Sequence, residues 1–444
     1  MSWRERSEAD VDTRTLVILA SSATAGVLVE TYDFLIYGFA AASAFPSIFF
    51  PKLPLTEALV LAYLAFGAGF PARLAGAFLF GHFGDRTGRK IAFVANILIV
   101  GITTCLTGLL PGYARLGVAA PIILVLLRIV QGIGLGGEFG GASALLAEFG
   151  AKRRSRAFWT SLATLGMPLG SMAASGAMLV LSKTFATTGW RVAMLLSGVI
   201  VIPALVARYK LADSPLFEPL KKRELLARAP SVAVFQKHSG AIIVLAVVLA
   251  FGQMDAYVSG TYGISFMNFA GIPLATTATI ILFSRIFDAL GVMLCGPLAD
   301  LLNRKTVAFG AIAITTVFSY PFALAILGRR VPLVMILQFM MTFFGVGLLH
   351  GLAPILASES FPTKFRYSGA GISYSLSAVL GGMIAPPILA GLVGNDVLHK
   401  WFYMPVVYGV YCAVAMLALL LMRETRNVSI EELDLELNPV SDLS

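Results

Sequence analysis

Residues 81–90 read GHFGDRTGRK, and residues 296–305 read GPLADLLNRK. Gly81, Asp85, Arg89 and Lys90 of the first stretch stand in register with Gly296, Asp300, Arg304 and Lys305 of the second. The two stretches lie 215 residues apart in a chain of 444, and each follows one apolar run and opens another. A weaker echo at nearly the same offset sets Glu148, Lys152 and Arg156 against Glu359, Lys364 and Arg366. The chain therefore reads as a duplication, two halves of equal helix count.

What flanks the repeats identifies the solvent. The chain is 58% hydrophobic and 13% charged, with mean hydropathy +0.84, more apolar side chain than a water-soluble globule can hide. Ile91 to Leu110, Leu116 to Gly137, Ala241 to Met254 and Val406 to Met422 are nearly free of charge, over lengths that approach or reach the roughly 20 residues a bilayer crossing takes. They are continuously apolar with interspersed glycine rather than alternating, which excludes a β-barrel and predicts an all-α membrane bundle. The spans fall at 15–47, 57–82, 90–111, 117–149, 156–181, 188–210, 240–270, 274–300, 305–327, 332–358, 366–392 and 400–423. Twelve spans make a six-helix half over 15–210 and another over 240–423, with end segments 1–14 and 424–444. Residues 211–239, the long polar stretch with Lys221, Lys222, Arg223, Glu224 and Arg228, form a linker in which an amphipathic helix on the inner leaflet is plausible.

The net charge of +9 is a topology signal rather than a nucleic-acid footprint. Arg4, Arg6 and Arg14, then Arg86, Arg89 and Lys90, then Lys152, Arg153, Arg154 and Arg156, then the run from Arg208 to Lys237 crowd alternate loops. The positive-inside rule places those loops and both termini in the cytoplasm. The N-terminus runs into a full span without a small-residue cleavage site, so no removed signal peptide is expected. Cys105, Cys295 and Cys412 stand singly in apolar runs with no metal-ligand spacing; they read as small core residues, and neither metal nor cofactor is expected.

The stretch from Gly81 to Lys90, with Arg86 and Gly88 inside it, resembles the loop motif of the major facilitator superfamily. Its glycines permit a tight turn, and Asp85 can accept from a helix N-terminus and pair with Arg89, a charge latch able to hold one gate state. The second copy has Asn303 in place of the second glycine. Within that superfamily the chain resembles the metabolite:proton symporters. The matching motifs are Glu30-Thr-Tyr-Asp33-Phe34 with Tyr37-Gly38, Arg128-Ile-Val-Gln131-Gly132 leading to Glu138, Gly189-Trp190-Arg191, Ala212 to Phe217, Glu359 to Gly369, Arg423-Glu424-Thr425 and Glu431-Glu432. Thr31, Val27 and Leu74-Ala75 depart from that family's usual Trp, Asn and Pro-Gly. The resemblance implies two rocking six-helix halves and cotransport of a proton with a small organic solute.

Charge inside a membrane costs about 2.5–3.5 kcal/mol per group on insertion scales, so each such residue is a functional candidate. Glu30, Asp33 and Tyr37 share one helical face, and either carboxylate can load and release a proton or serve as a structural pair. On span four, Gly132, Gly136 and Gly140 form a stripe for close backbone approach, while Arg128, Gln131 and Glu138 lie on an adjacent face within an arc of about 80°. Arg128 can hold a carboxylate solute bidentately or rest in a permanent acid pair with Glu138. The formal Gly-x-Gly-x-x-Gly from Gly132 to Gly137 lies inside one apolar span and is not a nucleotide loop.

Span seven offers Gln253, Asp255, Tyr257 and Tyr262, and span eight offers Arg285 with Asp288, an internal pair or a gating one. Arg73 can snorkel or pair with Asp33. His350 is a lone intramembrane histidine, and Tyr374 with Ser373 and Ser377 lines span eleven. The expected proton carriers are Asp33, Glu30 and Glu138. The expected solute contacts are Arg128, Gln131, Tyr37, Tyr32, Gln253, Tyr257 and Tyr374, and the gate residues are Gly81, Asp85, Arg86, Gly88, Arg89, Asp300 and Arg304. The expected partners are a small organic solute, a proton and the lipid bilayer, with no nucleic acid. An organic acid is favoured over a betaine-type zwitterion because the acidic tail after Arg423 is short and carries no long coiled coil. A monomer in the cell inner membrane is expected, and no enzyme: there is no His-rich metal cluster and no nucleophile with a positioned base.

Overall fold

The computed structural model describes residues 13–87, 89–150, 156–210 and 230–426 with isolated positions 428 and 432; at 81–94, 137–138 and 203–210, among other helical stretches, it describes the backbone alone. The membrane helices are α1 (Thr13–Ser43), α2 (Leu55–Phe80), α3 (Arg89–Leu109), α4 (Ala119–Ser143), α5 (Arg156–Val180), α6 (Phe185–Ile202), α7 (Ser231–Phe269), α8 (Leu274–Leu302), α9 (Arg304–Leu327), α10 (Val331–Ser360), α11 (Phe365–Val393) and α12 (Val397–Leu421). Eleven of them carry a described stretch long and apolar enough to cross a membrane, and Ala95–Leu109 of α3 is a shorter apolar stretch. The chain is a multi-pass membrane protein of the expected all-α class.

The duplication reappears as packing. In the first half α1 packs on α5, α2 on α4 and α3 on α6; six helices later α7 packs on α11, α8 on α10 and α9 on α12. The halves meet where α5 lies on α8 and α2 on α11, two contacts that exchange under the same six-helix shift. The outer surface is apolar, with Val317, Leu417 and Leu420 exposed at 68%, 65% and 73%, while Arg128, Asp33, Asp255 and Asp288 are fully buried. This inside-out distribution is what a lipid solvent selects.

The span-four glycines bring backbones together across two different seams. A Cβ at Gly132 would overlap the carbonyl oxygen of Gly69, and one at Gly136 the backbone nitrogen of Ala77, both on α2. At Gly140 it would meet the carbonyl oxygen of Tyr367 on α11, in the other half. Helical geometry loosens into wide π turns at Ala256–Tyr262, Thr342–Leu348 and Val379–Met383, a feature common near functional sites.

With the helix backbone of α4 and α6 continuing to Gly150 and Lys210, helix boundaries agree with the sequence reading to within a few residues, apart from α7. That helix is continuous from Pro230, with His238 departing from helical geometry at φ −127°, ψ 27°. The polar residues Gln236 to Ser239 are thus taken into the start of a long helix rather than a linker. Residues 211–229, where an amphipathic helix was expected, lie outside the described residues, as do the first twelve. The three cysteines are free.

Candidate functional site

Arg128 is the centre of the buried polar set. Its Nε donates to the Phe66 carbonyl of α2 at 3.0 Å, and its Nη1 donates to Oε1 of Gln131, one helical turn on. Gln131 in turn donates to Thr104 Oγ1 of α3 at 2.6 Å. The guanidinium approaches α2 so closely because Gly69 has no side chain: a Cβ there would sit 2.8 Å from Nε. Three rings surround the cation, Phe34 at 3.8 Å, Tyr37 at 4.4 Å and Phe66 at 4.9 Å from its carbon, which stabilises a desolvated guanidinium. Tyr257 of α7 packs onto Phe34, Phe66 and Phe70 at 5.9, 5.6 and 5.2 Å. One aromatic cluster therefore spans both halves.

Several polar atoms here have no hydrogen-bond partner among the described residues: Nη2 of Arg128, the hydroxyl of Tyr37 and both carboxylate oxygens of Asp33. The charge of Arg128 acts on the Asp33 carboxylate. Buried groups of this kind are rarely left unpaired.

A second group adjoins on the same α1 face. Glu30 forms an ion pair with Arg73 of α2 at 2.6 Å, so Arg73 pairs with Glu30 and not with Asp33. Arg73 stands over the ring of Tyr374 on α11 at 5.2 Å, and that ring stacks on Phe139 of α4 at 3.8 Å, with Gln253 beside its hydroxyl. The structure thus gathers Arg128, Gln131, Tyr37, Asp33 and Tyr257 in one cluster and Glu30, Tyr374 and Gln253 in the adjoining one. Tyr32 is engaged elsewhere, its hydroxyl donating to Ala193 of α6 at 2.7 Å. The side chain of Glu138 lies outside the described residues, and with it the proposed Arg128–Glu138 pair.

Of the two loop motifs, Gly81, Asp85, Arg86, Gly88 and Arg89 are likewise outside the described side chains. The second is described in full. Arg304 pairs with Asp300 at 3.0 Å and holds Glu359 through both Nε and Nη2, at 3.2 and 3.1 Å. Glu359 also pairs with Arg156 at the start of α5, in the other half, and accepts from the hydroxyl of Thr425. Glu424 accepts from the backbone N–H groups of Arg304 and Lys305, capping α9 with negative charge at its positive end. The opposite face is closed by neutral bonds. Tyr63 of α2 meets Ser265 of α7 at 3.0 Å, and Ser265 donates to the Ala42 carbonyl of α1 at 3.0 Å. A recess of about 620 Å³ opens beside that seam among Ser43, Ser47, Leu59, Asn268 and Phe269. Arg128 and Asp33 are not in its walls, and both are fully buried.

The family model of the Major Facilitator Superfamily matches residues 34–386. The chain belongs to that superfamily. Within it the chain groups with metabolite transporters: it is 36% identical to the inner membrane metabolite transport protein YhjE of Escherichia coli (strain K12), over 96% of this chain and 98% of that one. It is 30% identical to the shikimate transporter of the same organism, over 92% and 94%. The fold is also that of the proton:xylose symporter XylE, with a TM-score of 0.72 at 17% identity over 95% of this chain and 99% of that one. As a superfamily member the chain is a secondary transporter.

The sequence reading missed two elements of this site. The ring cage of Phe34, Phe66 and Phe70 carried a faint signal, phenylalanines at i, i+4 on span two and one adjoining Asp33, but apolar aromatics in an apolar span look like core. Glu359 is legible in the sequence as half of a repeat and as the first residue of a family motif; that it joins the two halves depends on their docking.

Proposed function

We propose that this protein is an inner-membrane symporter that carries a small organic acid, a mono-, di- or tricarboxylate, together with a proton by alternating access, with both termini in the cytoplasm. The observation that carries the reading is the unsatisfied Nη2 of a fully buried Arg128 beside the unpartnered hydroxyl of Tyr37 and the unpartnered carboxylate of Asp33. A carboxylate oxygen of the solute accepts from Nη2 and from the Tyr37 hydroxyl, completing both groups. Tyr257 closes the site from the other half.

Charge arithmetic then supplies the coupling. In the empty site Asp33 and Arg128 balance. A bound monocarboxylate adds one negative charge, which a proton on Asp33 cancels, and each further carboxylate of a di- or tricarboxylate takes one further proton into the site. Empty and doubly loaded sites are neutral and can close away from water; singly loaded sites carry a buried net charge and close at a penalty of several kcal/mol. Glu30, held by Arg73, positions α1 against α2 in this scheme. A zwitterion such as betaine or proline is the second reading, because the three aromatic rings around Arg128 offer a cation surface; the guanidinium already occupies that surface, which favours the acid.

The test is uptake into proteoliposomes of a labelled panel of organic acids, betaine and proline, with and without an inward proton gradient. Gradient-driven accumulation of one acid, lost in Asp33→Asn, is the expected result. Gradient-independent exchange would overturn the coupling, and accumulation of betaine alone would overturn the solute class.

A further inference from the structure

The second half holds its own buried charges, and they do not balance. Apart from the Arg304, Glu359 and Arg366 group at the loop-motif face, the described buried charged side chains there are Asp255 on α7 and Arg285 and Asp288 on α8. Two carboxylates face one guanidinium. Arg285 reaches Asp288 at 3.7 Å, and its charge also acts on Asp255. His350 of α10 approaches Asp288 at 3.4 Å, so its ring is drawn to the carboxylate already paired. The first half, by contrast, sets Glu30 and Asp33 against Arg73 and Arg128.

Asp255 is the carboxylate left over. It is fully buried, its Oδ1 accepts from the Tyr408 hydroxyl of α12, and its Oδ2 has no partner among the described residues. Gly345 of α10 lies directly against Oδ2, where a Cβ would overlap the oxygen. Both helices loosen at this point: α7 enters its π turn at the next residue, Ala256, and Gly345 sits within the π turn of α10. The titratable and charged groups facing Asp255 are Tyr408 from α12 and Arg285 and Asp288 from α8, with His350 from α10 behind Asp288.

We propose that Asp255 is a second proton-binding site, in the half opposite Asp33, and that its proton cancels the surplus charge when the halves close. The inference rests on the proton-symport reading for its use in transport, while the site itself is testable without any solute. In infrared difference spectra of the reconstituted full-length chain on acidification, Asp33→Asn retains a protonated-carboxyl band, and Asp33→Asn with Asp255→Asn loses it. Tyr408→Phe, which keeps the carboxyl and removes the hydroxyl that donates to its Oδ1, shifts the band to higher frequency. This variant also covers the case in which Asp255→Asn fails to fold. A band indifferent to both Asp255→Asn and Tyr408→Phe overturns the proposal. A band that behaves as expected in a protein whose uptake ignores the proton gradient leaves the site standing and sinks the symport reading instead.

Discussion

Arg128→Lys tests the solute contact without removing its charge. Lysine keeps a positive charge opposite Asp33, so the empty site stays balanced. It loses the Nε–H bond to Phe66 at 3.0 Å, the Nη1–H bond to Gln131 and the free Nη2 edge. The ammonium is a compact point charge without the planar fork. If Nη2 makes one charge-assisted bond to the solute, its loss costs about 1.5–3 kcal/mol, roughly ten- to 150-fold in apparent affinity at 1.4 kcal/mol per tenfold. Tyr37→Phe removes one neutral donor, about 0.5–1.5 kcal/mol and roughly two- to twelvefold. The assay is the concentration dependence of solute counterflow in proteoliposomes, which needs no proton gradient and so isolates binding from coupling. Half-saturation unchanged in Arg128→Lys, in protein of wild-type thermal stability, would refute the assignment of Arg128 as the carboxylate receptor.

Asp33→Asn removes one coupled proton, so the accumulation driven by a one-unit pH gradient falls about tenfold while counterflow persists; an unaltered gradient response places the proton elsewhere. Glu359→Gln severs the bond network joining Arg156 to Arg304. Cys295, fully buried next to Gly296 where α8 rests on Ala157 and Phe158 of α5, becomes more reactive toward a maleimide; unchanged labelling means the network does not hold that face shut. Gly136→Ala drives a methyl into the backbone of α2, and overpacking of this kind costs about 1–3 kcal/mol, read as a fall in melting temperature. Gly409→Ala, with nothing within 4 Å of the added carbon, is the matched control expected to leave it unmoved.

The twelve spans and their halving were legible because lipid imposes a length and a composition on every crossing, and because the loop motif survives in both halves at Gly81 and Gly296. The glycine stripe on span four was equally plain, since spacing by four fixes one helix face. Its division was not: Gly132 and Gly136 serve α2 within a half, whereas Gly140 serves α11 across the seam, and nothing local to the sequence says where one neighbour ends and the next begins. The ionic partners divide the same way. Arg285 with Asp288 is a pairing along one helix and could be read. Arg73 with Glu30, and Glu359 with both Arg304 and Arg156, depend on which helix is docked where. Asp255 was visible as an acid in an apolar span, but the Tyr408 that partners it lies 153 residues away.

The two faces are closed by chemistry of comparable strength. On the loop-motif face, removing one member of a buried ion pair costs about 3–5 kcal/mol; this is an upper bound for opening, since separated partners regain water. On the other face the hydroxyl proton of Tyr63 serves Ser265 or the Thr261 carbonyl and that of Ser265 serves the Ala42 carbonyl, so two neutral bonds amount to about 1–3 kcal/mol at 0.5–1.5 each. Among the described residues neither closure dominates. Driving such an equilibrium from 1:99 to 99:1 takes about 5.5 kcal/mol of differential binding. A solute bond at Arg128 together with cancellation of buried charge at Asp33 is of that order, whereas either alone falls short. On the symport reading proposed above, these magnitudes put the decision on the direction of opening at the centre of the molecule, with solute and proton acting jointly.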